Sequence, residues 1–153
     1  MGRIASVVLD PASVAPRSPE ADRECRVAIA DLVHENQFAP AARVEGPFHL
    51  LIASEDNRLR FELRDEIDWP LASFTLPVTP FRKVIRDYYM ICDSYYEAVE
   101  SASRARIEAL DMSRRAVHNE GSALLRQRLE PHAEVDEATA RRLFTLVCAL
   151  HWR

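Results

Sequence analysis

Between Phe48 and Leu63 the chain alternates apolar and polar residues in two runs joined by a turn. Phe48, Leu50 and Ile52 alternate in the first run, and Leu59, Phe61 and Leu63 alternate with Arg58, Arg60, Glu62 and Arg64 in the second. A period of two sends one face of a hairpin into a core and leaves a charged face open to water. Glu55-Asp56-Asn57 between the runs predicts a tight turn, since Asp and Asn tolerate the left-handed backbone such turns need. Arg60 and Glu62 are expected to pair with cross-strand neighbours. After a loop at Asp65 to Trp69, the run Leu71 to Leu76 extends the hairpin into a meander. A sheet with one apolar face has to be covered, and the rest of the chain must supply the cover.

Helical spacing supplies it. Ile4 to Leu9 is short and β-branched and predicts an N-terminal strand, closed by Asp10-Pro11. A proline-punctuated loop (Pro11, Pro16) follows. Ser18-Pro19-Glu20 then reads as N-cap, first helical position and acidic first turn of a helix from about Pro19 to Gln37. Its apolar face is Cys25, Ala28, Ile29, Leu32 and Val33. Thr79 with Pro80 predicts a second helix start, and the helix beyond it should bury Phe81, Ile85, Tyr88, Cys92, Tyr95 and Val99. Ser103 caps a third helix through Ile107, Leu110, Arg114 and Val117. His118-Asn119-Glu120-Gly121 reads as its stop, because glycine suits the left-handed position that ends helices. A separate helical piece from Ser122 to Leu129, a Pro131 loop and a last, largely apolar helix capped by Asp136 complete the chain. The fold class expected is α+β: one domain over residues 1–153, in which an antiparallel β-meander plus the N-terminal strand packs against several helices.

Composition narrows the function. The 153 residues carry a net charge of −4, which argues against nucleic acid as the main partner. Of the 20 basic residues only Lys83 is lysine. Arginine's planar fork suits carboxylates and phosphates, although a GC-rich genome produces the same bias. Cys25, Cys92 and Cys148 are odd in number, widely spaced and set among apolar residues. They read as free thiols of a reducing compartment, hence a cytoplasmic protein. No stretch approaches the roughly 20 apolar residues of a membrane span. Glycine occurs only at 2, 46 and 121, so no phosphate-cradling loop exists and a Walker or dinucleotide site is excluded. No cofactor is expected.

Three stretches, TPFRKVIRDYYMICDSYYEA, DMSRRAVHNEGSALL and ARRLFTLVCALHWR, together resemble a family of small bacterial proteins catalogued as an uncharacterised protein family of the UPF type. The resemblance covers essentially the whole chain. It implies a single-domain cytosolic protein, and it brings no reaction, ligand or catalytic residue with it.

The residues themselves offer several candidates. Asp111, Arg115, His118 and Ser122 share one face if their helix is continuous, with Arg114 and Glu120 close by. A histidine among arginines and carboxylates can work as a general acid or base, with Arg114 or Arg115 holding an anionic group. The structural reading of the same residues is an Asp111–Arg115 ion pair and a His118 that caps the last carbonyls of its helix. Tyr88, Tyr89, Tyr95 and Tyr96 form two adjacent stripes, and Tyr89 and Tyr96 beside Arg82 and Arg86 could stack on a planar ligand. Tyrosines at that spacing are equally an ordinary core edge. Arg114-Arg115 and Arg141-Arg142 suit RNA, an acidic partner or a solvated face. The five histidines lack metal spacing, and no metal is expected. With no nucleophile–base arrangement, the reading leans away from an enzyme. It favours a regulatory or binding protein acting through another protein or a second copy of itself. The alternatives are an anion-binding protein or small enzyme centred on His118, and, less favoured, an RNA-associated protein.

Overall fold

The computed structural model describes residues 3–11 and 18–151. Residue 16 of the proline loop and the last two residues of the LHWR stretch lie outside that set.

Strands β1 (Ile4–Leu9), β3 (Phe48–Glu55), β4 (Arg58–Arg64) and β5 (Pro70–Pro77) form one sheet in the order β1-β3-β4-β5. The meander β3-β4-β5 is antiparallel as expected, whereas β1 joins β3 in parallel and makes the sheet mixed. Parallel neighbours need a crossover, and helix α1 (Pro19–His34) provides it. The β3–β4 turn is two residues long, with Asp56 at φ 50° and Asn57 at φ 62°. Both lie in the left-handed region that right-twisted hairpins favour. Phe48, Leu50, Ile52, Leu59, Phe61 and Leu63 are at most 1% exposed, each contributing about 1.5–3 kcal/mol of burial. On the outer face Arg60 reaches Glu55 across the hairpin and Glu62 along its own strand, and Glu62 also takes Arg64. The ladder therefore runs along β4 as much as across strands.

Helices α2 (Arg82–Ser101), α3 (Arg104–Leu129) and α4 (Glu137–Leu150) follow. Ser18, Ser103 and Asp136 cap α1, α3 and α4, their side chains accepting from Ala21, Arg106 and Thr139 N–H groups. At the second helix start the expectation fails: Thr79–Phe81 is a 3₁₀ turn without a side-chain cap. The Thr79 hydroxyl instead accepts from Asn57 Nδ2 at 3.1 Å, tying α2 to the hairpin turn. Tyr95 is only half-buried and Val99 is 51% exposed, because the end of α2 runs past the core.

The largest correction concerns α3. The expected stop at His118–Gly121 does not exist, and the helix continues unbroken to Leu129. Gly121 is buried there because α4 crosses it closely. A Cβ on Gly121 would lie 2.5 Å from Cε1 and Cε2 of Phe144 and nearer still to Cζ. The glycine serves interhelical approach, not termination. Helix α4 is buried nearly all round and packs on α1, α3 and β3, as its apolar sequence predicts. A second sheet of two three-residue strands, β2 (Phe38–Pro40) and β6 (Ala133–Val135), joins the two halves of the chain. It is too short to show as a periodicity. The domain is α+β.

Candidate functional site

Helices α1, α3 and α4 leave a cleft of about 530 Å³ between them, with Tyr88 of α2 at its inner end. His118 lies in its wall and is largely buried. Its Nε2 is 2.8 Å from Thr145 Oγ1 on α4, and its Nδ1 is 3.3 Å from Ser122 Oγ one turn further along α3. The imidazole meets Tyr88 and Phe144 edge-on, each at a centroid distance of 5.2 Å. Since α3 does not end here, His118 caps nothing; it fastens α3 to α4. Burial, reinforced by the charges of Arg141 and Arg114, lowers its pKa to about 4 and keeps the ring neutral at ordinary pH.

Beside it runs a charged network. Tyr88 donates its hydroxyl to Glu24 Oε1 at 2.9 Å, and Arg114 Nη1 lies 3.5 Å from the same oxygen. Arg114 Nη2 donates to Asp111 Oδ1 at 2.7 Å, while Arg115 Nε donates to Asp111 Oδ2 at 3.0 Å and its Nη2 grips the same oxygen. The hydrogen bonds from these two arginines, Arg114 first, hold the Asp111 carboxyl below the usual carboxylate range. The Arg114 guanidinium also covers the Tyr95 ring, 4.5 Å from its centroid. Burial opposes the Arg114 cation, but the Asp111 hydrogen bond and the neighbouring acidic groups outweigh it and fix the charge. Burial and then Glu24's charge push the Tyr88 phenol far up, so it stays a hydrogen-bond donor. The same two influences push the Cys92 thiol up to about 12, which leaves it unreactive.

Five arginines line the cleft: Arg23 from α1, Arg114 and Arg115 from α3, and Arg141 and Arg142 from α4. The carboxylates among the lining residues are Glu24 and Asp31. Arg23 and Arg141 are exposed and have no ion-pair partner among the described residues, while Arg142 donates to the Glu35 carbonyl at 3.2 Å. The lining is cationic at its rim and apolar and hydroxylic at its base. Among the described residues, no group of three or more His, Cys, Asp and Glu side chains could hold a metal.

Of the residues singled out from sequence, His118, Arg114, Arg115, Arg141 and Arg142 line this cleft, and Asp111 orders Arg114 and Arg115 from behind. Glu120 is exposed and does not line it. Tyr89 and Tyr96 do not line it either; Tyr88, expected as plain core, does. Tyr96 is half-buried, and burial with Glu24's charge drives its phenol up. Glu24 and Thr145 escaped the sequence reading. Thr145 left one trace, as the lone hydroxyl inside the apolar run Leu143 to Leu150. Glu24 left none, since nothing in α1 says which neighbour its polar face will meet.

Comparison with known proteins follows the same outline. The model of a family described as "Uncharacterised protein family (UPF0262)" matches residues 1–153. A UPF0262 protein of Maricaulis maris is 54% identical over 151 residues, covering 99% of this chain and 94% of the relative. One from Rhizobium leguminosarum is 50% identical, with 99% and 96% covered, and one from Nitrobacter hamburgensis is 49% identical, with 99% and 92% covered. No solved structure matches the chain. This bacterial α+β domain belongs to the UPF0262 family.

Proposed function

We propose that the protein binds a small anionic molecule, carrying a phosphate or carboxylate group, in the cleft between α1, α3 and α4. The observation that carries this reading is that arginines from three helices line one cleft with His118, two of them without an ion-pair partner among the described residues. Guanidinium forks donate bidentately to such groups, and a partly enclosed cleft strengthens these bonds by excluding water. The network behind them is already paired, so binding needs little reorganisation. The reading is non-catalytic: Cys92 is inert, and the hydroxyls that face His118, those of Thr145 and Ser122, are also engaged by backbone carbonyls of their own helices. Three buried cysteines, none in a disulfide, support a cytoplasmic setting. Among the described residues no helix is long and apolar enough to cross a membrane.

The test is a thermal titration with inorganic phosphate, pyrophosphate and citrate against chloride at matched ionic strength. A bound anion at 100 times its Kd stabilises by about 2.7 kcal/mol, and Arg141→Gln should remove most of that gain. If none of the three anions raises the melting temperature beyond chloride, the reading is wrong.

A second reading, docking of a protein partner or another copy of the chain, draws on Ile67 and Trp69. They stand 84% and 66% exposed on the β4–β5 turn. Sedimentation of the unaltered protein and of Trp69→Ser tests the self-association form: identical monomeric behaviour removes it.

A further inference from the structure

We propose that an oxyanion entering the arginine cleft draws a proton onto His118, so that ligand binding and imidazole protonation are one coupled event. This rests on the anion-binding reading above and adds to it the class of ligand, a doubly charged oxyanion, and a dependence on pH.

The geometry around the ring carries the argument. Ser122 Oγ lies 2.8 Å from the His118 carbonyl, and Thr145 Oγ1 lies 3.3 Å from the Arg141 carbonyl. Each hydroxyl can therefore give its proton to a backbone carbonyl one turn back in its own helix. Once both do so, both oxygens turn lone pairs toward the imidazole, Ser122 to Nδ1 and Thr145 to Nε2. That is the environment of a ring with two N–H donors. In the neutral ring one nitrogen must accept instead, and the Thr145 hydroxyl satisfies it by turning toward Nε2. Passing from one state to the other turns a hydroxyl and moves no heavy atom.

Burial first, and then the charges of Arg141 and Arg114, hold the second proton off; hydrogen bonding does not. On its own helix His118 faces Arg114, with Arg115 behind it, both already bridged by Asp111. From α4 come Arg141 and Arg142. From α1, Glu24 is occupied by Tyr88 and Arg114, and Arg23 and Asp31 stand opposite each other in charge. From α2 the ring meets Tyr88, which stays un-ionised. The surplus is positive and unbalanced at Arg141. A dianion there cancels that surplus and sets negative charge beside the imidazole, and an opposite charge within about 4–6 Å typically moves a pKa by about 1–3 units. The proton comes from solvent and the imidazolium keeps it. Both N–H groups remain on Thr145 and Ser122, so the ring assists the ligand by charge and does not touch it through nitrogen.

Sulfate is the probe, because it stays doubly charged throughout the range in which His118 titrates. The His118 ring resonance, assigned by its loss in His118→Gln, is followed from about pH 4 to 8 in the intact protein, in sulfate and in chloride at equal ionic strength. The expected result is saturable sulfate binding and a His118 midpoint raised by about 1–2 units. Sulfate affinity should then be about two- to ninefold higher at pH 5 than at pH 7. Thr145→Val keeps the size and deletes the Nε2 acceptor, so it should shrink the midpoint shift while sulfate still binds. Saturable binding with an unmoved His118 midpoint overturns the coupling and leaves the anion site standing. No saturable binding at either pH overturns both.

Discussion

Replacing Gly121 by alanine separates two accounts of the middle of α3. For an exposed glycine inside a helix, alanine should stabilise by about 1 kcal/mol, because it removes backbone freedom from the unfolded chain. Gly121 is buried under Phe144, and the new methyl would overlap three atoms of the ring. Phe144 is itself fully buried on α4, a helix pressed against α1, α3 and β3, so the ring has no open space to retreat into. Overpacking of this kind costs about 1–3 kcal/mol, with the upper end apt for a clash of three atoms. Subtracting the helical gain leaves a net loss of about 2 kcal/mol, or a melting-temperature drop of about 4–8 °C for a domain of this size. The assay is thermal or urea unfolding of Gly121→Ala, Phe144→Leu and the double variant. In the Phe144→Leu background the obstructing ring is gone, and alanine at 121 should become neutral or stabilising. The coupling between the two sites should then be about 2 kcal/mol or more. A single Gly121→Ala variant as stable as the parent, or additivity in the double variant, would refute the close-crossing argument.

Three further outcomes follow from the described contacts. His118 has a folded pKa of about 4 against an ordinary 6.5, so its contribution is complete above pH 6.5 and declines as pH falls toward 4. That makes up to about 3 kcal/mol of acid sensitivity, and denaturant unfolding of His118→Gln between those limits should show a flatter profile. Asn57 combines a left-handed backbone with side-chain bonds to Thr79 and Arg82. Asn57→Ala should cost about 1–2 kcal/mol in urea unfolding, while Asn57→Gly, which keeps the backbone freedom, should cost less. Tyr88→Phe removes a hydroxyl that donates to Glu24 and should cost about 1 kcal/mol; an unchanged unfolding midpoint would show that Glu24 is satisfied without it.

The sheet is legible because a period of two runs through two consecutive strands, with a third apolar run beyond them, and each of Ser18, Ser103 and Asp136 announces a helix start. Locally, His118-Asn119-Glu120-Gly121 is a good helix end, and the error there came from weighing propensity without packing. The stripe Leu110, Arg114, Val117, Gly121 and Leu125 continues at three-and-four spacing through the supposed stop, and that continuity was the better signal. Thr79 misled similarly, since its hydroxyl went to Asn57 and not to a helix terminus. Half of the cleft was within reach of a reading along α3, where Asp111, Arg114, Arg115 and His118 are near in sequence. The other half comes from Arg23, Glu24, Arg141 and Thr145, which belong to helices at opposite ends of the chain. No periodicity encodes which helices become neighbours.

The clasp between β2 and β6 has a mechanical meaning. Its partners Phe38 and Val135 come from opposite ends of the chain, and beside them the Gln37 amide donates to the buried Thr139 hydroxyl, 102 residues further along. The loop it closes contains the whole meander together with α2 and α3. Closing so long a loop is entropically costly and is repaid only when α4 is seated. On loop closure alone the clasp is expected to act as a latch that forms late and opens early. The exchange rate of the single Gln37 amide proton then reports how often the two halves of the domain part company, including the walls of the cleft that α1 and α4 hold between them.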